Sequence, residues 1–231
     1  MQEAVKKLAA EADGAEGFGA VGGSGAWFGA AAPQGYKDVT DQVDVRGLDL
    51  LNASTECGTA RTLFQSSKPL ALDGGKAKAT QDTDGKDWVE SDTDEQLMLY
   101  FPLQSTMKVH TLHITSLPKS GGDEEDEEVP MRPKTVKIYS NRANVLGFDE
   151  AEDLPVTQEF TLSSRDWDEK TGTAQLALRF VKFQTVHSLV VFVVDGDGDG
   201  EKVRIDRVRL FGEVGEKREQ GKLEKVGEHD H

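Results

Sequence analysis

Near its C-terminal end the chain reads Asp195-Gly-Asp-Gly-Asp-Gly200, three carboxylates at alternate positions. That is the first half of a calcium loop, which wants oxygen ligands at its first, third and fifth positions, glycine at the sixth and a bidentate glutamate at the twelfth. The second half departs from the pattern. Lys202 holds the eighth position, and Asp206, one methylene short of glutamate, the twelfth. The flanks read as strands rather than helices, and Asp206 lies inside VRIDRVRLF, where a strand carries it away from the other ligands. The expectation is a β-hairpin connection in which Gly and Asp supply positive φ angles. Asp195, Asp197 and Asp199 then form at most a weak cation site.

Other reactive residues are sparse. His110 and His113 stand three apart in KVHTLHIT, a strand-like run in which they point to opposite sides. His187 opens a strand and reads as structural. Cys57 sits in NASTECGTA with no adjacent histidine or lysine to lower its pKa. Gly17-Phe-Gly-Ala-Val-Gly22 formally matches the dinucleotide fingerprint, but no strand precedes it and no helix-forming segment follows. There is no GxSxG elbow, HExxH pair or P-loop. These observations point to no catalytic residue, no resident metal and no cofactor.

Composition narrows the class further. The chain has 231 residues, 30% charged and 36% hydrophobic, with a formal net charge of −15. Such an acidic surface is repelled by phosphate backbones and anionic lipid, so nucleic acid and membranes are poor partners and basic protein patches better ones. A single cysteine rules out an internal disulfide or a four-cysteine zinc site. The N-terminus lacks the apolar core of a signal peptide, and no apolar run reaches membrane-spanning length. The expected compartment is the cytoplasm, with the nucleus left open, and the Asn52-Ala-Ser54 sequon is then idle.

The scaffold follows from periodicity. Residues 1–13 show a short helical spacing of Val5, Leu8, Ala9 and Ala12, and 14–35 is a Gly/Ala-rich stretch that reads as a linker. From Tyr36 onward short aliphatic and β-branched runs alternate with Gly, Pro, Asp or Asn: LMLYF, KVHTLHIT, KTVKIYS, QEFTL, QLALRFV, HSLVVFVV and KVRIDRVRLF. Leu97, Leu99 and Phe101 share one face, as do Leu176, Leu178 and Phe180. HSLVVFVV is apolar on both faces and reads as a central strand. Many short strands without crossover helices predict an all-β, antiparallel sandwich or jelly roll. The acidic block within 119–133 reads as an exposed loop, and 213–231 as a charged, disordered tail.

Four stretches carry a family resemblance: YKDVTDQVDVRGLDLLNAS (36–54), WVESDTDEQLMLYFPLQSTMKVHTLHI (88–114), PKTVKIYSNRANVLGFDEAED (133–153) and LRFVKFQTVHSLVVFVVD (178–195). Together they resemble the PITH domain, the C-terminal proteasome-interacting module of thioredoxin-like proteins, over residues 36–212. The resemblance implies a jelly-roll sandwich related in shape to galactose-binding-like domains, and association with the regulatory particle of the 26S proteasome. It also implies a hairpin of variable Gly/acidic content at DGDGDG. Members commonly carry Cys-Leu-Asn where this chain has Leu50-Leu51-Asn52, which puts a redox role of that position in doubt. MQEAVKKLAAEAD resembles the last helix of a thioredoxin domain, and the chain carries no CxxC of its own.

The functional reading is therefore a monomeric, non-catalytic module that docks on the proteasome. Two surfaces are candidates for recognition. One is ESDTDEQL, with Glu90, Asp92, Asp94 and Glu95, whose alternative role is to satisfy backbone N–H groups ahead of the next strand. The other is the tail ending in His229 and His231, whose imidazoles or carboxylate could meet a metal on a partner. A competing reading is a jelly roll that binds a small molecule or glycan at a loop end, using Trp88 and Trp167.

Overall fold

The computed structural model describes residues 25–73, 86–118 and 129–215. The expected N-terminal helix, most of the acidic block and the tail with His229 and His231 lie outside the described residues. The strands are β1 (Lys37–Asp38), β2 (Asp49–Leu51), β3 (Val89–Glu90), β4 (Leu97–Thr115), β5 (Pro133–Ser140), β6 (Gln158–Thr161), β7 (Thr173–Ala177), β8 (Val186–Gly196), β9 (Arg204–Ile205) and β10 (Arg207–Val214). Two short helices, α1 (Ala60–Leu63) and α2 (Phe148–Asp153), complete the framework. No helix among the described residues is long and apolar enough to cross a membrane.

β4 organises the sandwich. LMLYF and KVHTLHIT, which read as two strands, form one 19-residue strand. Its register against β8 breaks between Pro102 and Met107. Before the break β4 lies between β2 and β8; after it, between β10 and β7. One layer is thus β2-β4-β8-β5-β6 and the other β1-β10-β4-β7, every strand pair antiparallel. A separate two-stranded ribbon, β3-β9, closes one end.

Alternation fills the space between the layers. Leu97, Leu99, Phe101, Leu189, Val191, Val193, Val136 and Ile138 from one layer join Leu176, Val208 and Leu210 from the other in one buried cluster. Each such side chain contributes roughly 1.5–3 kcal/mol when fully withdrawn from water. A second cluster on the outer side of the first layer joins Met98, Tyr100, Tyr139, Val190 and Phe192 to Leu146 and Ala151 of the α2 region. β8 is therefore covered on both faces, which is why its sequence shows no polar alternation.

Two expectations change at strand ends. β7 stops at Ala177, so Phe180 does not share the buried face of Leu176 and Leu178; it is 44% exposed. At the other boundary β10 runs to Val214, and Gly215 N–H donates to Thr106 O, so the last strand continues past Gly212.

The Gly/Ala-rich segment is also not a free linker where it is described. Trp27 N–H donates to Ser66 O, and Phe28 meets the Phe211 ring edge-on at 5.4 Å. At Gly29, with φ of +76°, an added Cβ would lie 2.2 Å from the Thr173 hydroxyl oxygen. Glycine there serves close approach to β7 as much as flexibility.

Candidate interaction surfaces

The ESDTDEQL loop is shaped by one residue outside it. Asn52, at the end of β2, adopts φ of 58°, a left-handed conformation that asparagine tolerates better than most residues. Its Nδ2 donates to Asp94 Oδ1 at 2.7 Å and to Gln96 O at 2.6 Å, and its Oδ1 accepts from Thr93 N–H at 3.1 Å. Asp94 also accepts from Gln96 N–H. Glu95 Oε2 accepts from Gly196 N–H at 3.1 Å and ties the loop to the DGDGDG segment. Glu90 accepts from Trp88 Nε1 at 2.6 Å and lies 3.6 Å from Cys57 Sγ. Of the four carboxylates expected to recognise a partner, three are thus engaged in holding the loop. Asp92 is exposed and uses only its backbone N–H, donated to Asn52 O.

The DGDGDG segment is not a hairpin. β8 lies between β4 and β5, β9 pairs with β3, and β10 pairs with β4 and β1, so the segment joins strands that are not bonded to one another. Its glycines answer to packing rather than to φ, since none of the three has a positive φ. A Cβ on Gly196, Gly198 or Gly200 would come within 2.4, 3.3 and 3.2 Å of Met131 side-chain atoms. Alternate residues therefore lie against Met131, and the aspartates take the remaining positions. Asp195 Oδ1 accepts from Thr135 N–H at 2.7 Å, while Asp197 and Asp199 are exposed. Asp206 is elsewhere, fully buried against Arg204 and accepting from Leu117 N–H. No three His, Cys, Asp or Glu side chains among the described residues are grouped to hold a metal. Beside the segment, Pro118, Pro130, Met131, Arg132, Asp197 and Asp199 line an open depression of about 410 Å³.

Behind these loops lies a buried cationic layer. Arg204 in β9 and Arg207 and Arg209 in β10, the latter two at alternate positions, are at most 3% exposed. Arg204 reaches Asp206 through two nitrogens, at 3.1 and 2.7 Å, and its guanidinium carbon stands 3.9 Å from the centre of the Trp88 ring. Arg207 donates to Asp87 Oδ2, Asp87 O, Asp206 O and Ser67 O. Arg209 donates to the carbonyls of Trp27 and Gln65, with the Asp38 carboxylate acting on it electrostatically. Burial lowers the pKa of Arg209 and raises that of Asp206. Planar guanidinium groups with five donors suit this work of binding several carbonyls at once. Part of the signal was present in the sequence as Arg207 and Arg209 at alternate positions of a strand whose other face, with Val208 and Leu210, is apolar.

The remaining reactive groups are also structural. Burial first, and then the neighbouring Glu90 carboxylate, push the Cys57 thiol up to about 11. His113 is 1% exposed, with Nδ1 3.0 Å from Phe28 O, and burial lowers its pKa. His110 stacks on Tyr36 at 3.8 Å. Trp167 is 3% exposed and packs in the core. Neither tryptophan stands free at a loop end.

The molecule is thus a β-sandwich of jelly-roll type whose loop-end polar groups are largely consumed in its own construction. A model of the PITH domain matches residues 29–228. The chain belongs to the PITH domain family. Thioredoxin-like protein 1 of Schizosaccharomyces pombe is 38% identical over 149 residues, covering 64% of this chain and 48% of that protein. The PITH domain-containing protein GA19395 of Drosophila pseudoobscura is 31% identical over 175 residues, 76% of this chain and 69% of its own length. Human PITH domain-containing protein 1 is 27% identical over 172 residues, 74% and 67% respectively. The chain thus spans about half of the fission-yeast relative. Among solved structures, the family 32 carbohydrate-binding module of Clostridium perfringens NanJ in complex with galactose superposes with a TM-score of 0.45 at 10% identity, covering 76% of this chain and 98% of that one. The CBM32-1 and CBM32-2 domains of C. perfringens ZmpB in complex with GalNAc reach 0.49 at 7% identity, with 78% and 37% covered.

Proposed function

We propose that this chain is a non-catalytic interaction module that associates with the regulatory particle of the 26S proteasome. In a longer protein it would couple a thioredoxin-like domain to that particle. The observation that carries the reading is the family match over residues 29–228. The chemistry of the described residues supports it: a suppressed thiol, buried histidine and arginines tied to carbonyls leave little for catalysis and much for shape. Two of the three buried arginines are balanced by the buried Asp206 and Asp87, so burial of these groups leaves the surface about as acidic as the sequence total.

The test is co-sedimentation of the full chain with purified 26S proteasome, beside a version ending at Gly215, the residue after β10. Binding of both assigns recognition to the sandwich. Binding of the full chain alone assigns it to residues 216–231, which include His229 and His231. Binding of neither, at concentrations well above a micromolar, overturns the proteasome reading for this chain.

A further inference from the structure

The turn between β7 and β8 exposes what a soluble domain usually hides. Phe180 is 44% and Val181 84% exposed, the only adjacent pair of large exposed hydrophobics among the described residues. The exposure is built in. Leu178 before the turn is 5% exposed and Phe183 after it is fully buried. To place both inward, the chain folds residues 180–182 into a single 3₁₀ turn, with Lys182 N–H donating to Arg179 O and Phe183 N–H to Phe180 O. Arg179 N–H is held by Gln158 Oε1 at 2.8 Å, and Lys182 Nζ by Thr157 O at 2.7 Å. The apolar pair therefore projects from a turn anchored at both ends. Polar residues would fit an exposed turn equally well, so the fold does not ask for phenylalanine and valine here.

The charge around the turn is the reverse of the molecule's. The chain has 42 acidic and 27 basic residues, yet 96–122, 129–148 and 170–194 contain no Asp or Glu. The turn stands where these stretches meet. Val109 N–H donates to Phe183 O, Leu178 N–H to His110 O, and Asn141 Nδ2 to Thr185 O, while His187 N–H donates to Asn141 Oδ1. Arg179 and Lys182 flank the apolar pair, and Arg142 and the exposed His187 lie on the adjoining segments. Of the carboxylates on the neighbouring strands, Glu213 is paired with Lys108 at 3.3 Å and Glu159 faces Lys137 across β5-β6. In a chain of net charge −15, this basic and apolar spot offers complementary contact to one kind of partner.

We propose that the Arg179–Lys182 turn is a docking knob for an acidic, apolar-bearing peptide segment of a partner protein. Its carboxylates would meet Arg179, Lys182 and Arg142, and its apolar side chains would cover Phe180 and Val181. The proposal rests on reading the chain as an interaction module and does not require that the partner be the proteasome.

The test is an amide ¹H–¹⁵N titration of the full chain with a short synthetic peptide of glutamates carrying two leucines. Parallel probes are the same peptide with lysines for glutamates, the glutamate peptide without leucines, a short single-stranded RNA, and vesicles containing phosphatidylserine. The expected result is movement of the amides of 179–187 and 141–143 with the glutamate–leucine peptide above all others. Arg179→Glu/Lys182→Glu and Phe180→Ser/Val181→Ser should each weaken that binding about tenfold or more. Because these side chains are exposed, the remaining resonances of each variant should keep their positions, which shows that the fold is intact. The proposal is overturned if the amides of the turn do not move, if the lysine peptide moves them equally, or if RNA or vesicles move them more. The titration decides the knob and co-sedimentation of the unaltered chain decides the proteasome reading, so either can fail alone.

Discussion

Arg207 and Asp87 stand 120 positions apart in the chain, yet Nη2 of the arginine donates to Oδ2 of the aspartate at 2.5 Å with the guanidinium wholly out of solvent. The same Asp87 oxygen accepts from Leu70 N–H at 3.0 Å. One ion pair thus fastens three segments: 67–70, 86–88 and the start of β10. Arg207→Met should leave a carboxylate unpaired near the core and cost about 3–5 kcal/mol in urea unfolding. Arg207→Met/Asp87→Leu should recover part of that loss, because it removes the stranded charge as well as its partner.

Asn52 should behave as a loop organiser. Asn52→Ala removes three hydrogen bonds to Thr93, Asp94 and Gln96 and places a Cβ-bearing residue without a polar side chain at φ of 58°. The expected loss is about 2–3 kcal/mol. Asn52→Gly keeps the backbone conformation accessible and should cost visibly less. Asp92→Ala should leave the unfolding midpoint within about 0.5 kcal/mol of the parent, as for other surface changes. Equal losses for all three variants would contradict the assignment of the loop's shape to Asn52.

Cys57 should be a slow thiol. With its pKa pushed from an ordinary 9.0 to about 11, its thiolate fraction at pH 8 falls roughly a hundredfold below that of an ordinary cysteine. Alkylation by iodoacetamide should be correspondingly slow in the folded chain and normal in urea. Glu90→Gln removes one of the two main causes of the shift and should accelerate labelling without restoring the ordinary rate, since burial remains.

His113 should make stability fall with acid. Burial holds its folded pKa below the ordinary 6.5, so in that window the unfolded chain takes up a proton that the folded chain refuses. Stability is then level above about pH 6.5 with respect to this group and declines as pH drops towards its folded pKa. The Phe28 carbonyl, Asp38 and Gln175 act on the imidazole in the opposite direction, and burial outweighs them. His113→Gln should lower stability at pH 8 but flatten the slope between pH 7 and 5, read from urea midpoints.

Residues 25–32 should count as part of the domain. A chain beginning at Gly35 strips Phe28 from Phe211, and the carbonyls of Trp27 and Phe28 from Arg209 and His113. It should be less stable than one beginning at Gly25 by about 2 kcal/mol or more, because Arg209 and His113 each lose a carbonyl partner and Phe211 loses its apolar cover. Equal stability of the two would return the segment to the role of a linker.

Much of the architecture was legible in the residues. Alternation at Leu97, Leu99 and Phe101 gave the inward face of β4, and the unbroken VVFVV gave a strand covered on both sides. Both signals are local, since a strand's burial pattern is written along its own sequence with period two. The failure of DGDGDG as an EF-hand loop was also local, visible in Lys202 and Asp206. Why glycine recurs there was not, because Met131 approaches from 65 positions away along the chain, and a close approach leaves no trace near the glycines.

The sequence by itself determined the strand content, the all-β class, the absence of familiar catalytic motifs and, through its resemblance, the family. The tertiary structure decided how each polar residue is used. It tied Glu90, Asp94 and Glu95 to Trp88, Asn52 and Gly196, turned Arg204, Arg207 and Arg209 inward, and brought residues 25–30 onto the outer face of β10. It also left Phe180 and Val181 outside, although periodicity grouped Phe180 with the core. The reason is physical: alternation fixes which side of a strand a residue takes, but whether that side is covered depends on segments that arrive from elsewhere in the chain.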